Sequence, residues 1–205
     1  LKEIYYFESE SVEHIPLSNA ARLNADIESS QAVLQDLIQM GQRFCSNCAF
    51  NSSSSENSMN DYFRDLLFIK GYTEVKDQTR HGLSVNKKDS AEVDILLTKD
   101  GKEIAIYEGL KLSSVSTTYI DIHINKAIVN YNALGTATFI VAYVDVADFD
   151  SFWNKYFSYL QSYSFPILVK SPIEASPYPN AATRVASTIL SRDDYDFPVY
   201  FIAFK

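Results

Sequence analysis

Apolar positions recur at helical spacing twice before residue 70. From Ser29 onward Val33, Leu34, Leu37, Ile38, Gly41, Phe44, Cys45 and Cys48 fall on one stripe, which predicts a long amphipathic helix. The polar run at 51–58, NSSSSENS, reads as a linker ending in an N-cap. Met59, Tyr62, Phe63, Leu66, Leu67 and Ile69 then predict a second helix that stops at Gly71. Strand-like runs follow at 73–80, 91–98 and 103–112. A helix over 119–133, with Ile120, Ile124, Ile128 and Tyr131 as its buried stripe, precedes an apolar strand at 136–144 and an aromatic helix at 149–163. Five of the six prolines lie between 166 and 198, so the tail reads as loop until a last strand at 199–204. After the first helix the order is α, three β, α, β, α, which places the chain in the α/β (α+β) class. The pattern divides it into a helical extension at 1–55 and a mixed domain at 56–205.

Composition narrows the picture. The 205 residues, 46% hydrophobic, suffice for one packed core with a helical attachment. Lys and Arg total 18 against 26 Asp and Glu, a net charge of -8, which argues against a protein that coats polyanions generally. Any nucleic-acid contact must be local. The window 76–126 is neutral, with eight basic and eight acidic residues, so its basic groups concentrate around the strands, where a polyanion could be gripped. No run approaches the roughly 18 apolar residues of a membrane span. The acidic opening does not resemble a signal peptide. The expectation is a soluble cytoplasmic chain without a membrane partner. With leucine at position 1 it reads as part of something longer. Cys45 and Cys48 form a lone C-x-x-C without two further zinc ligands at suitable spacing, and read as buried helical thiols. The aromatic tract around Trp153 reads as a core-covering helix.

The informative stretch is AEVDILLTKDGKEIAIYEGLK, residues 91–111, where two apolar strands each carry a carboxylate inside the run. Unpaired charge there is costly, so Asp94 and Glu108 require a reason. A two-residue turn at Asp100-Gly101 would pair positions summing to 201 and put the two acids on opposite faces. A three-residue loop with Gly101 in the left-handed region gives sums of 200, setting Asp94 opposite Ile106 and Glu92 opposite Glu108. All three acids then share one face. Such a cluster calls for a protonated carboxyl or a cation between its members; a hard divalent cation fits, since oxygen-only ligands favour Mg²⁺ or Mn²⁺, which suits phosphodiester hydrolysis.

Four blocks in order strengthen this reading: Asn60-Asp61-Tyr62-Phe63-Arg64-Asp65-Leu66-Leu67, Asp77-Gln78-Thr79-Arg80-His81-Gly82-Leu83-Ser84, Ala91-Glu92-Val93-Asp94 and Ile106-Tyr107-Glu108-Gly109-Leu110. Over residues 56–146 the chain resembles the PD-(D/E)xK nuclease superfamily, with its restriction-endonuclease-like αβββαβ core, in the branch associated with bacterial defence. The resemblance implies that Asp94 and Glu108 hold Mg²⁺ and that a lysine two residues after the second acid orients or activates the attacking water. Here position 110 is Leu, and Lys111 stands at an odd separation from Glu108. A β-bulge at Gly109-Leu110 is expected to return Lys111 to the site; failing that, Lys126, Lys88 or Gln78 must substitute, or activity is lost. Glu56 and Asn60, one turn apart, are candidates for the extra acid region that the superfamily supplies from its first helix. Arg80, Lys87 and Lys88 are candidates for gripping phosphate. His123 and Lys126 lie on the polar stripe of the 119–133 helix. The reading is a DNA endonuclease domain, effector of a larger restriction or anti-phage protein whose sensor or motor region lies elsewhere. Two alternatives stand beside it: a degenerate domain that binds nucleic acid or a partner, and an assembly module that self-associates into a homo-oligomer.

Overall fold

In a computed structural model the described residues are 18–83, 90–99 and 101–205, with side chains described outside 73–83 and 90–93. The elements are α1 (Asn19–Cys45), α2 (Glu56–Ile69), β1 (Thr73–Leu83), β2 (Ser90–Lys99), β3 (Lys102–Leu112), α3 (Thr117–Asn125) running into a π-helical turn (Lys126–Asn130), β4 (Thr138–Val144), α4 (Phe149–Ser162), β5 (Leu168–Val169), β6 (Glu174–Ala175), β7 (Thr183–Arg192) and β8 (Tyr195–Phe204). They form a mixed α/β fold around one sheet in the order β1-β2-β3-β4-β8-β7-β5, with β6 also paired to β7. β3, β4 and β8 run parallel to one another, and the β1-β2, β2-β3 and β7-β8 pairs are antiparallel.

Both faces of the sheet are covered, and β4 shows how its residues are shared. Phe139, Val141 and Tyr143 join α1 and α2 in one apolar cluster, while Ile140, Ala142 and Val144 join α3 and α4 in another. That strict alternation is the period-two geometry of a strand buried on both faces. The predicted stripe of α1 is the one it buries: Val33, Leu34, Leu37, Ile38, Gly41 and Phe44 face the sheet. At Gly41 the backbone comes so near Phe204 that an added Cβ would lie 1.9 Å from its ring. α2 starts on the cap Ser55, whose hydroxyl accepts from Ser58 N at 3.1 Å, and buries Met59, Phe63 and Leu67. The Ser-rich segment thus joins two helices packed on the same face.

Several expectations are corrected. Cys48 lies beyond α1 and is exposed. Burial pushes the half-buried Cys45 thiol up to about 11, against weaker backbone hydrogen bonds that lower it. The proline-rich tail contains β7, ten residues long, and β8 begins at Tyr195. These strands meet at a tight turn in which Asp193 and Asp194 both take left-handed backbone conformations, φ 48° and 64°, as a hairpin with type I′ geometry requires. Pro198 is tolerated inside β8 because β4 pairs only from Val199 onward, leaving no ladder bond for it to supply on that side.

Candidate active site

The β2-β3 hairpin settles how Asp94 and Glu108 meet. Lys99 pairs with Lys102 and Thr98 with Glu103, the sum of 201 that a two-residue turn gives. Between Thr98 and Leu97 the register shifts by one, so Leu97 pairs with Ala105, Leu96 with Ile106 and Ile95 with Tyr107. The expected three-residue loop is therefore replaced by a tight turn plus a bulge at Ile104. One further step along the shifted register sets Asp94 level with Glu108, not with Ile106.

Beyond the Ile95-Tyr107 pair, β3 continues alongside β4 to Leu112 while β2 continues alongside β1, so the β2-facing edge of β3 opens into a wedge. Its freed amides need acceptors. Gly109 N donates to Asp94 Oδ2 at 2.9 Å, and Lys111 N donates to Glu56 Oε2 at 2.8 Å. Asn60 Nδ2 donates to the same Asp94 oxygen at 3.2 Å, and Tyr119 OH donates to Glu56 Oε2 at 2.6 Å. Glu108, fully buried, projects to the α3 side. There its Oε1 accepts from His123 Nδ1 at 2.7 Å and from Lys126 Nζ at 2.9 Å. Opposite a carboxylate, Nδ1 must be the protonated ring nitrogen. Among the described residues Glu108 Oε2 is buried with no hydrogen-bond partner.

The two acids share a design in which one oxygen is anchored by protein donors. Among the described residues, both hydrogen bonds to Asp94 fall on Oδ2 and both to Glu108 fall on Oε1. Electrostatically the site is overloaded with negative charge. Burial, and after it the Glu108 charge, push the Asp94 carboxyl up to about 6; the Gly109 N–H and the Lys126 charge oppose this, and the Glu56 charge adds to it. Burial pulls the Lys126 ammonium down, but the Glu108 charge and hydrogen bond, joined by the Asp94 charge, hold it above its ordinary value. It is a cation at neutral pH.

Lys126 reaches Glu108 from the π-helical turn, which Tyr131 N closes on Lys126 O at 3.0 Å and which Arg192 Nη2 steadies by donating to Ile128 O at 2.7 Å. Widened turns of this kind recur at functional sites. His123 was expected on the polar stripe of its helix; it is buried against Glu108 instead.

The remaining candidates divide. The bulge expected at Gly109-Leu110 is absent, because β3 and β4 stay in unbroken register from Ile106 to Leu112. Lys111 accordingly points to the α1-α2 side, where Nζ donates to the carbonyls of Ser52 and Ser54. Glu56 and Asn60 both reach the wedge. The backbones of Gln78, Arg80 and Glu92 lie in β1 and β2, with their side chains outside the described set, and Lys87 and Lys88 lie outside the described residues. Sequence reasoning passed over Tyr107 and Tyr143. Their signal was a phenol inside a buried strand, where the hydroxyl must find a partner.

Among the described residues no group of three or more His, Cys, Asp and Glu is disposed to hold a metal ion. Two carboxylates are present, and a Mg²⁺ ion that keeps several waters takes one or two. The unpartnered Glu108 oxygen and the mutual repulsion of the two acids fit such an ion. Among the same residues no helix is long and apolar enough to cross a membrane. No family model, curated protein or solved structure matches the chain.

Proposed function

We propose that the chain is a Mg²⁺-dependent nuclease domain of the restriction-endonuclease-like kind that hydrolyses DNA phosphodiester bonds, the effector part of a larger bacterial restriction or anti-phage protein. The observation that carries this reading is the convergence of Asp94 and Glu108 at a wedge between diverging strands, each anchored through one oxygen. The order α2, β1, β2, β3, α3, β4 supports it as the αβββαβ core of that fold. Asp94 and Glu108 would hold Mg²⁺, which supplies charge stabilisation at the attacked phosphate and lowers the pKa of a bound water. Lys126 takes the part that the resemblance assigned to Lys111. As a fixed ammonium on Glu108 it is not a base, and it offers positive charge to the phosphoryl oxygens and the incoming water. His123 holds Glu108 in place from the same helix. Hydrolysis then breaks the phosphorus–oxygen bond to the leaving sugar, and water supplies the new oxygen.

The displacement of Lys111 favours a second reading, a domain of the same fold that binds nucleic acid without cutting it. Incubating the purified chain with supercoiled plasmid separates the two. The nuclease nicks or linearises DNA in Mg²⁺ and not in EDTA. Asp94→Ala and Glu108→Ala abolish this, Lys126→Met lowers the rate about 100-fold or more, and Lys111→Met changes it by only about two- to threefold. Cleavage that depends on Lys111 and ignores Lys126 would overturn the assignment. DNA binding without cleavage, undiminished in Asp94→Ala, would establish the second reading.

A further inference from the structure

A hydrogen-bonded chain runs through the core behind Asp94. Tyr107 and Tyr143, 0% and 1% exposed, stand on the α1-α2 face of neighbouring strands with their hydroxyls in contact. Tyr143 OH donates to Asn60 Oδ1 at 2.7 Å, and Asn60, itself 4% exposed, donates from Nδ2 to Asp94. A phenol has one proton, so Tyr143, having given its own to Asn60, accepts from Tyr107. The polarity is fixed from end to end: Tyr107 to Tyr143 to Asn60 to Asp94.

Packing does not account for these groups. The neighbours of the two rings include Phe63 and Phe44, so phenylalanine at 107 and 143 would fill the same space without burying a hydroxyl. Nor is Asn60 there by default, since it is the polar member of the buried face of α2 alongside Met59, Phe63 and Leu67. Room is made for it: at Gly109 an added Cβ would stand 2.0 Å from Asn60 Oδ1. Flipping the Asn60 amide would set its oxygen against the Asp94 carboxylate, acceptor against acceptor. Holding Oδ1 to Tyr143 prevents the flip.

We propose that Asn60 is a positioning residue for Asp94, and that Tyr143, backed by Tyr107, fixes which end of its amide meets the carboxylate. This rests on the reading of Asp94 as a Mg²⁺ ligand. A partner that orients a ligating carboxylate is worth about 10- to 100-fold in metal affinity or activity.

The test uses the full chain and the variants Tyr143→Phe, Asn60→Ala and Gly109→Ala, the last of which dislodges the asparagine without altering it. In the wild type the Asn60 side-chain amide, assigned in a ¹H–¹⁵N spectrum by its loss in Asn60→Ala, should exchange slowly with solvent and shift in Asp94→Asn. In Tyr143→Phe its exchange should quicken at least tenfold. Calorimetry with Mg²⁺ alone should show about tenfold or weaker binding in all three variants, and cleavage should lose kcat at constant KM for DNA. An Asn60 amide unmoved in Tyr143→Phe, or Mg²⁺ affinity unchanged in folded Tyr143→Phe and Asn60→Ala, would overturn the proposal. The two failures are distinguishable: a wild type that takes up no Mg²⁺ removes the nuclease reading, while the amide spectrum still decides whether the chain of hydrogen bonds orients Asp94.

Discussion

Asp94 is held where its charge is unwelcome, and the sign of the consequence follows from linkage. Burial and the Glu108 charge push its carboxyl up to about 6, against an ordinary value of 3.8, so the native state binds this proton more tightly than the unfolded chain does. Stability from this group is present below about pH 4 and is lost as pH rises through about 6. In EDTA at pH 8, Asp94→Asn should therefore be more stable than the wild type by on the order of 2 kcal/mol, with the advantage vanishing toward pH 4. Urea midpoints at the two pH values measure this, and equal midpoints at pH 8 would contradict it. The same substitution should abolish cleavage, so the residue that the proposed chemistry needs is one that the fold alone would discard. Exchanging function for stability in this way is common at sites that hold charge for a ligand.

At the scale of elements, α1 and its glycine give the sharpest expectation. Gly41→Ala would normally favour a helix interior, by about 1 kcal/mol. Here the new methyl meets the Phe204 ring at 1.9 Å, and overpacking costs about 1–3 kcal/mol. The variant should melt below the wild type by a few degrees in a thermal scan, and a rise would refute the packing argument. Although α1 begins at Asn19, well before the Ser29 start that its stripe suggested, elements with strong periodicity were legible in the sequence: α2, β2, β3, β4 and α4 lie close to their expected ranges because one apolar stripe or alternation decides each. β7 was not, because prolines on either side of it suggested loop, and tertiary pairing with β8 overrode that suggestion. Of the site, Asp94 and Glu108 were legible as misplaced charges. Their meeting was anticipated from the wrong turn, since a bulge, which leaves no mark in composition, restored the even register. Lys126 was named only as a substitute for Lys111, because its approach to Glu108 depends on a helix packed beside β3 and on a π turn that spacing rules do not foresee. Lys111 misled because strand parity, which forbade it, was set aside for a bulge that does not form.

For the molecule as a whole, the helical segment before residue 51 is built into the same core as the wedge. Val33, Leu37 and Phe44 share one apolar cluster with Phe63, Tyr107 and Tyr143. Ser30 Oγ meets Tyr200 OH at 2.9 Å and Arg22 lies over the Tyr195 ring at 3.4 Å, so α1 also ties down β8. Unfolding should accordingly be a single cooperative transition by circular dichroism and tyrosine fluorescence alike. Removing residues 1–50 should leave a chain without a sharp melt, and a truncated protein that melts cooperatively would show α1 to be dispensable. The strand order carries one more consequence. β8 lies at the middle of the sheet, between β4 and β7, yet it emerges from the ribosome after the other strands of that sheet. Until it arrives, β4 presents a bare, greasy edge, the kind of surface that chaperones shield while a chain is still being made.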